Sequence, residues 1–597
     1  MHKHIHILSL SLSLSLSLSL SLGWRRCTSI NKTFIRFSFP RLGYIFFSFF
    51  IAMLRILGFI FLVVAGATAP QRKWERGTHD FPVPDAVSLP LYDEDACLFN
   101  PVLGNDMVLQ RNVPARVWGT AIANTNLTIV LTSSGGKAET YQTIASSTGM
   151  WSVDLKAREA NTMPSSISLT CGSMMAPAVT LTNVLFGDVF SCNGQSNMVF
   201  GLGQDMNATK ECANAGKYPL LRFMTFTQNK PWAVASPETA CTGTGFNPLS
   251  AVCWYFGKTV FQRLNGTVPI GLVSSNVGGT AVERWSGPDA IKRCNQSQVV
   301  LQSSLWTPFI VPLLQMQVSG WVWYQGESNV ACSTTWKWGP GSNCAIGCND
   351  PAKNPFCEAD FQKCADFYAC QFPAMIADWR EKWNGGNKSI PGRPDGPRAF
   401  LFVQLAPYTE GVGEPGNPSV AALREAQVAA RSLPNVGLTS AVDYGDTNSP
   451  LGNIHPRWKA PVGARLADAA MAHVYGNAAA SMTYPVATSA QCAHGEIRIT
   501  FSEPVRIVPP LLGICPVLPT SCAWLSLDGK NASFRVDTTN SSVVVVGVPE
   551  TFSAPPSTVE YLFGDWPVPT IYAANKKGDW LGSDFPALPF RIRCADT

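Results

Sequence analysis

Hydrophobic and polar positions change rhythm twice along the chain. From about Cys97 to Thr182, short alternating runs such as Ala115–Trp118, Leu127–Leu131 and Trp151–Leu155 are separated by Gly, Pro, Ser and Asn. A period of two belongs to strands with one buried face, so residues 97–182 are predicted to be an all-β module, a small sandwich. From Asn183 the runs become continuously apolar: Val184–Phe186 with Val189–Phe190, then Ile270–Ser274, Gly320–Tyr324, Phe400–Leu405 and Gly437–Val442. Between them, Trp254–Leu264, Phe372–Trp383, Val420–Arg431 and Trp458–Tyr475 read as helices. Core strands alternating with helices over residues 183–484 predict an α/β body with a doubly wound parallel sheet. Alternation returns from Pro485 in Glu496–Phe501, Ser533–Val536, Val543–Val546 and Val559–Leu562, so residues 485–597 are expected to form a second β module.

The first 69 residues do not fit this pattern. Ser9–Leu22 alternates Ser and Leu without exception, as a translated CT-dinucleotide repeat does, and residues 1–52 are expected to be upstream sequence joined by a misassigned start. Met53 opens a better beginning: Arg55 is the charged region, Ile56–Val64 the apolar core and Ala65–Ala69 the small-residue cleavage region of a signal peptide over 53–69. The competing reading joins Tyr44–Val64 into one membrane anchor. Residues 70–96 read as an extended lead-in.

Composition narrows the class. Of the 597 residues, 46% are hydrophobic and 14% charged, which fits a globular chain with a large core and excludes disorder or a coiled coil. The net charge of +5 comes from the N-terminus, because residues 1–69 hold seven Lys/Arg and no acid. The remainder has 38 basic and 40 acidic residues and offers no basic stripe to a nucleic acid. Seventeen cysteines follow Cys27, far more than a reduced cytosolic chain carries. Their odd number leaves a thiol over, and Cys192 is the buried candidate. Cys332, Cys344, Cys348, Cys357, Cys364 and Cys370 crowd an insertion over 332–370. No histidine lies among them and no paired CxxC spacing occurs, so a disulfide-stapled loop is expected over a metal site. Sequons at Asn126, Asn207, Asn265, Asn295, Asn387, Asn531 and Asn540 agree with a glycosylated protein of the secretory route, secreted or lysosomal.

Chemistry concentrates where predicted core strands end. Gly187–Met198, GDVFSCNGQSNM, breaks from an apolar run into a turn carrying Ser196, the placement of a nucleophile at the carboxyl edge of an α/β sheet. Asn276–Thr280 has adjacent glycines that let backbone N–H groups approach a ligand. Trp323–Asn329 places amides and a carboxylate where apolar residues would be expected. After the signal only His79, His455, His473 and His494 are available as a general base. His455, in a loop after a predicted strand and before a helix, is the one whose position matches the edge carrying Ser196. Three polar strand ends, a serine and a histidine are the parts of an acyl-transfer site.

These residues resemble the sialate O-acetylesterase family, within the SGNH-type hydrolases. The resemblance is carried by Asn105–Arg111, Gly187-Asp-Val with Gly194–Met198, Gly278-Gly279-Thr280 with Glu283 and Trp285, Trp323–Asn329, Phe372–Arg380 and Ser449–Pro456 with Lys459. It implies an SGNH-hydrolase-like sheet flanked by β-sandwich-like modules, and a serine esterase that needs neither metal nor cofactor. The implied substrate is an O-acetylated sialoglycan, most readily the 9-O-acetyl ester, or another acetylated sugar. No nucleic acid and no stable membrane insertion after signal cleavage are implied. Ser196 is then the nucleophile and His455 the base. The Ser196 N–H, an N–H at Gly278 or Gly279 and the Gln325 side chain form the oxyanion hole. Glu327, Arg284 and Trp285 are expected to meet the sugar, the arginine its carboxylate and the tryptophan its ring. Relatives of this group place an aspartate two or three residues before the histidine, where this chain has Asn453 and Gly452. Either Asp443 or Asp446 folds back to His455, with Asp446 preferred, or the pair works as a Ser–His dyad with a backbone acceptor. A carbohydrate-binding protein with a degenerate site is the reading from another class.

Overall fold

The computed structural model describes residues 97–172, 178–241, 249–295, 302–330, 361–408, 419–477, 484–493, 495–508, 525–564, 566–574 and 584–594. The upstream segment, the signal, the lead-in, His79, His494, Cys332, Cys344, Cys348 and Cys357 lie outside them.

One strand, β1 (Val179–Gly194), joins the first two regions. Its first half runs antiparallel to Asn161–Cys171 and parallel to Val108–Gln110. Its second half is the middle of the parallel sheet. The strand therefore passes straight through residues 182–183, where the change of rhythm suggested a boundary. In the N-terminal region, Leu98–Phe99, Ala115–Thr120 and Met150–Leu155 form one small sheet. Asn126–Thr132 pairs with Ala138–Ile144 and Asn161–Cys171 in a second layer, burying Leu127, Ile129 and Leu131 on alternate positions as a period of two requires.

The body adds β2 (Leu221–Thr225), β3 (Lys230–Val234), β4 (Ile270–Asn276), β5 (Gly320–Tyr324), β6 (Ala399–Gln404) and β7 (Val436–Ser440) in the order β3-β2-β4-β1-β5-β6-β7. All neighbours are parallel except the edge pair β3–β2. β4, the second half of β1, β5, β6 and β7 show no alternation because both faces are covered. On one face Trp323, Phe400 and Phe402 pack on α3 (Phe361–Lys382), with Trp323 and Phe372 ring centroids 6.1 Å apart, and Trp321 meets Trp383 just past its end. On the other, Phe190 meets Phe256 of α2 (Ala251–Arg263), and Leu401 lies towards His473 of α5 (Lys459–His473). Helix α4 (Ser419–Val428) lies beside α3.

Helix α3 corrects two expectations. It begins at Phe361 rather than Phe372, so the last ten residues of the predicted cysteine-rich loop are helical. The reason is legible afterwards: Cys364, Tyr368, Phe372, Met375 and Trp379 recur on one helical face and are all buried. Second, Cys370 bonds Cys294 outside the insertion rather than a neighbour within it. Cys192 is likewise not the spare thiol, because it bonds Cys253 and ties β1 to α2. Both sulfurs are buried, and neither spacing nor chain order brings these two residues together. Further bridges join Cys97–Cys171, Cys212–Cys241 and Cys492–Cys594.

The C-terminal region contains one four-stranded sheet from Ala487–Cys492, Glu496–Phe501, Val543–Gly547 and Phe534–Val536, and another from Lys530–Asn531, Leu525–Leu527, Thr558–Tyr561 and Phe590–Arg593. Its core includes Val442 of the body. Arg424 and Arg465 donate to the carbonyls of Gly564 and Asp584, fastening this region beside β7. Among the described residues no helix is long and apolar enough to cross a membrane.

Candidate active site

The sheet turns its carboxyl edge towards one place. β1 has β4 on one side and β5 on the other, so successive connections leave it in opposite directions, and a crevice opens beyond such a switch point. Gly194 ends β1 in register with Asn276 and Tyr324, which end its two neighbours. It has φ 141°, and a Cβ there would stand 2.1 Å from the Tyr324 carbonyl oxygen, so only glycine lets the chain turn this close to β5. Gln195 is extended, and Ser196 is the first residue of the single turn α1 (Ser196–Val199). The first N–H groups of a helical turn have no partner within it.

Ser196 Oγ lies 2.8 Å from His455 Nε2, although 259 residues separate them. His455 Nδ1 is 2.8 Å from the Leu451 carbonyl oxygen. A carbonyl only accepts, so Nδ1 carries the proton, and Nε2 is left to accept from the serine hydroxyl. That tautomer is the one a general base needs. His455 is held in its loop by its own N–H to Gly452 O and by Ser449 Oγ donating to its carbonyl at 2.6 Å. Burial lowers its pKa from 6.5 to about 4; the Leu451 contact opposes the shift and the Lys459 charge adds to it.

The expected acid is elsewhere. Asp446 Oδ2 and Oδ1 accept from Arg457 Nε (2.6 Å) and Nη2 (3.0 Å), and Asp443 pairs in the same two-fold way with Arg465. Burial raises the Asp446 carboxyl, but Arg457 outweighs it and holds it below the usual carboxylate range. An arginine fork matches a carboxylate at two points, whereas an imidazole offers one. The preference for Asp446 as the third member is therefore corrected: a main-chain carbonyl stands behind the histidine.

The loops beside Ser196 are only partly as expected. Gly279 has φ +67°, and a Cβ there would meet nothing within 4 Å, so its backbone borders open space; Gly278 is half-buried beside it. The Gln325 amide is fully buried and already engaged. Its Nε2 donates towards Asn329 Oδ1 (2.7 Å), Thr280 O (3.1 Å) and Gln195 Oε1 (3.2 Å), and its Oε1 accepts from Tyr368 (3.1 Å). Trp285 is fully buried, with Nε1 on Thr280 Oγ1 and its ring against Trp323. Arg284 is buried and donates to Ser304. Trp285 does not present its ring to a sugar, which corrects that expectation: the short helix Val282–Trp285 turns it into the core.

Three residues beside the pair carry more of the site than their place in the chain announces. Asn197 Nδ2 donates to Glu327 Oε1 (2.5 Å) and to the Ile454 carbonyl (2.8 Å), and Asn197 Oδ1 accepts from Lys459 Nζ (2.5 Å). Burial pushes the Glu327 carboxyl up and lowers Lys459 to about 7, partly opposed by Glu327 and Asp205. Glu327 Oε2 is buried and has no hydrogen-bond partner among the described residues. Asn197 and Lys459 stand within the quoted motifs, but no spacing rule connects residues so far apart. His473 meets Asn435 at the start of β7, the opposite edge of the sheet. Among the described residues no group of three His, Cys, Asp or Glu is placed to hold a metal ion.

This geometry has counterparts. The family description "Carbohydrate esterase, sialic acid-specific acetylesterase" matches residues 186–338. The sialate O-acetylesterase of Rattus norvegicus is 30% identical over 442 residues, covering 63% of this chain and 73% of the rat protein. That of Homo sapiens is 27% identical over 490 residues, 75% of this chain and 86% of the human one. The crystal structure of a carbohydrate acetylesterase from Xanthomonas citri superposes with a TM-score of 0.62 at 25% identity, covering 83% of this chain and 99% of that one. With a serine and histidine paired at the switch point of a parallel sheet, and relatives alike along most of their length, the chain belongs to the sialate O-acetylesterase family of carbohydrate esterases.

Proposed function

We propose that the protein hydrolyses O-acetyl esters of sialic acids, the 9-O-acetyl ester foremost, through an acetyl-Ser196 intermediate. The observation that carries this reading is the Ser196–His455 contact of 2.8 Å at the carboxyl edge of the sheet. His455 Nε2 takes the serine proton as Oγ attacks the acetyl carbonyl, and returns it to the departing sugar oxygen. It then activates water to release acetate. The Ser196 N–H and an N–H at Gly278 or Gly279 receive the oxyanion, each such donor contributing about 2.7–4 kcal/mol to the lowered barrier. Gln325, its amide already engaged, braces these loops from behind. Glu327, expected to meet the sugar, is instead buried with Oε1 on Asn197 Nδ2 and holds the turn of Ser196 from behind.

The seven sequon asparagines are at or near the surface, Asn207 half-buried and the others exposed, which supports glycosylation in the secretory route and a secreted or lysosomal destination. The test of the activity is acetate release from 4-nitrophenyl acetate and from a 9-O-acetylated sialoside. No Ser196-dependent release from either overturns the enzyme reading. Release from the simple ester alone assigns the activity to other acetylated sugars.

Two further results are expected. The base stays neutral down to about pH 4 rather than 6.5, so kcat/KM falls only as pH drops through that lower value. An acid limb at 6.5 in the pH–rate profile would contradict the burial argument. Asp446→Asn removes the pairing with Arg457 and not a partner of His455, so kcat drops less than tenfold. A loss of about 10⁴, the size expected on removing a triad carboxylate, would restore Asp446 to the site.

A further inference from the structure

We propose that Asn197, fixed by Lys459 and Glu327, is a positioning residue that keeps His455 aligned on Ser196. The inference rests on the reading of Ser196 and His455 as nucleophile and base, and concerns what holds the second against the first.

A triad acid fixes the imidazole tautomer and holds the ring at the right distance. Here the two tasks are divided. Leu451 O sets the tautomer from within the histidine's own loop. Distance requires a connection between that loop and the nucleophile's turn, and Asn197 supplies it. It follows Ser196 directly in α1, and its amide donates to the carbonyl of Ile454, the residue directly before His455. The two chemical neighbours of the reacting groups are thus joined by a hydrogen bond running beside the Ser196–His455 contact.

Lys459 and Glu327 determine which way the amide faces. An ammonium can only donate, so Asn197 Oδ1 must face Lys459. Both amide hydrogens are then left for Glu327 Oε1 and Ile454 O. A flipped amide would put its NH₂ against the ammonium and its oxygen against two acceptors. Lys459 is itself anchored, since its backbone N–H donates to Asp205 Oδ2 at the start of α5. All three side chains are more than nine-tenths buried, and an unmade bond there costs far more than at a surface. A hydrophobic core does not need an ammonium and a carboxyl at this depth. A rigid mount for one amide does.

The charge that bears on His455 is that of Lys459 of α5, and Glu327 after β5, Asp205 and Asp446 bear in turn on that lysine. Of these, Lys459 is the cation that opposes an imidazolium.

The test uses the full chain and 4-nitrophenyl acetate. Asn197→Asp is nearly isosteric and keeps an oxygen for Lys459, but loses both donors. It is expected to fold with a melting temperature a few degrees below the parent, because two buried donors are lost, and to lower kcat about 10- to 100-fold with KM within twofold, as a small misplacement of a reacting group does. Lys459→Met is expected to lower kcat and move the acid limb of kcat/KM to higher pH, because the neighbouring cation is gone. Lys459→Arg keeps that limb in place. Wild-type kcat in folded Asn197→Asp overturns the proposal, as does wild-type kcat in folded Lys459→Met. Ser196→Ala, measured alongside, separates the two failures: if it retains activity the catalytic assignment fails, and if it alone is inactive only the positioning role does.

Discussion

Ser196→Ala is expected to lower kcat on 4-nitrophenyl acetate by roughly 10⁴- to 10⁶-fold, the range seen when a nucleophile that works with a base is removed. The substitution deletes one oxygen from a site that is 4% exposed and leaves the Gly194 turn, the Cys192–Cys253 bridge and the Asn197 contacts as they are. The melting temperature should therefore stay within a few degrees of the parent. That combination matters, because a fold lost with the activity would say nothing about the hydroxyl. Acetylated protein trapped by rapid acid quench should carry one acetyl group in the parent and none in the variant. An acetyl group in Ser196→Ala, or more than a tenth of the parent kcat, would remove Ser196 from the reaction.

His455→Ala should fall into the same range, roughly 10⁴- to 10⁶-fold, because a serine hydroxyl without its base is a poor nucleophile at neutral pH. The sharper result is the double variant. When two groups act as one unit, removing the second costs little once the first is gone. Ser196→Ala with His455→Ala should then be no slower than the worse single variant within a few-fold. Losses that multiply would mean that the two act separately, which the 2.8 Å contact argues against. The residual rate of all three proteins measures what the oxyanion donors do alone.

How far the chain could be read in advance differs from element to element. β5 is legible as Gly320–Tyr324 because its apolar run is continuous and Gly and polar residues close each end. β4 and α2 are found within a few residues of their expected limits for similar reasons. α3 was cut short because cysteines and a proline outweighed the helical spacing of Tyr368, Phe372 and Trp379, although Pro373 sits inside the helix. Ser196 was legible as a strand-end serine and His455 as the one histidine in a suitable loop. Asp446 was not, since choosing it required knowing that Arg457 would take both carboxylate oxygens. Trp285 suits a sugar ring by chemical type, and burial of its four-residue helix decides against it.

The core strands β1, β4, β5, β6 and β7 with the helices between them, the export-type cysteine count and the candidate serine and histidine follow from the sequence by itself, because periodicity, composition and scarcity are local properties of the chain; β2 and β3 do not. What stands behind His455 was decided only in three dimensions. A carbonyl four residues back, an asparagine beside the nucleophile and a lysine at the start of α5 meet there because β1, β5 and the histidine loop converge at one edge of the sheet. Hydrogen-bond partners in a buried site are set by which donors and acceptors are left facing one another once the strands are in register, and no spacing along the chain encodes that.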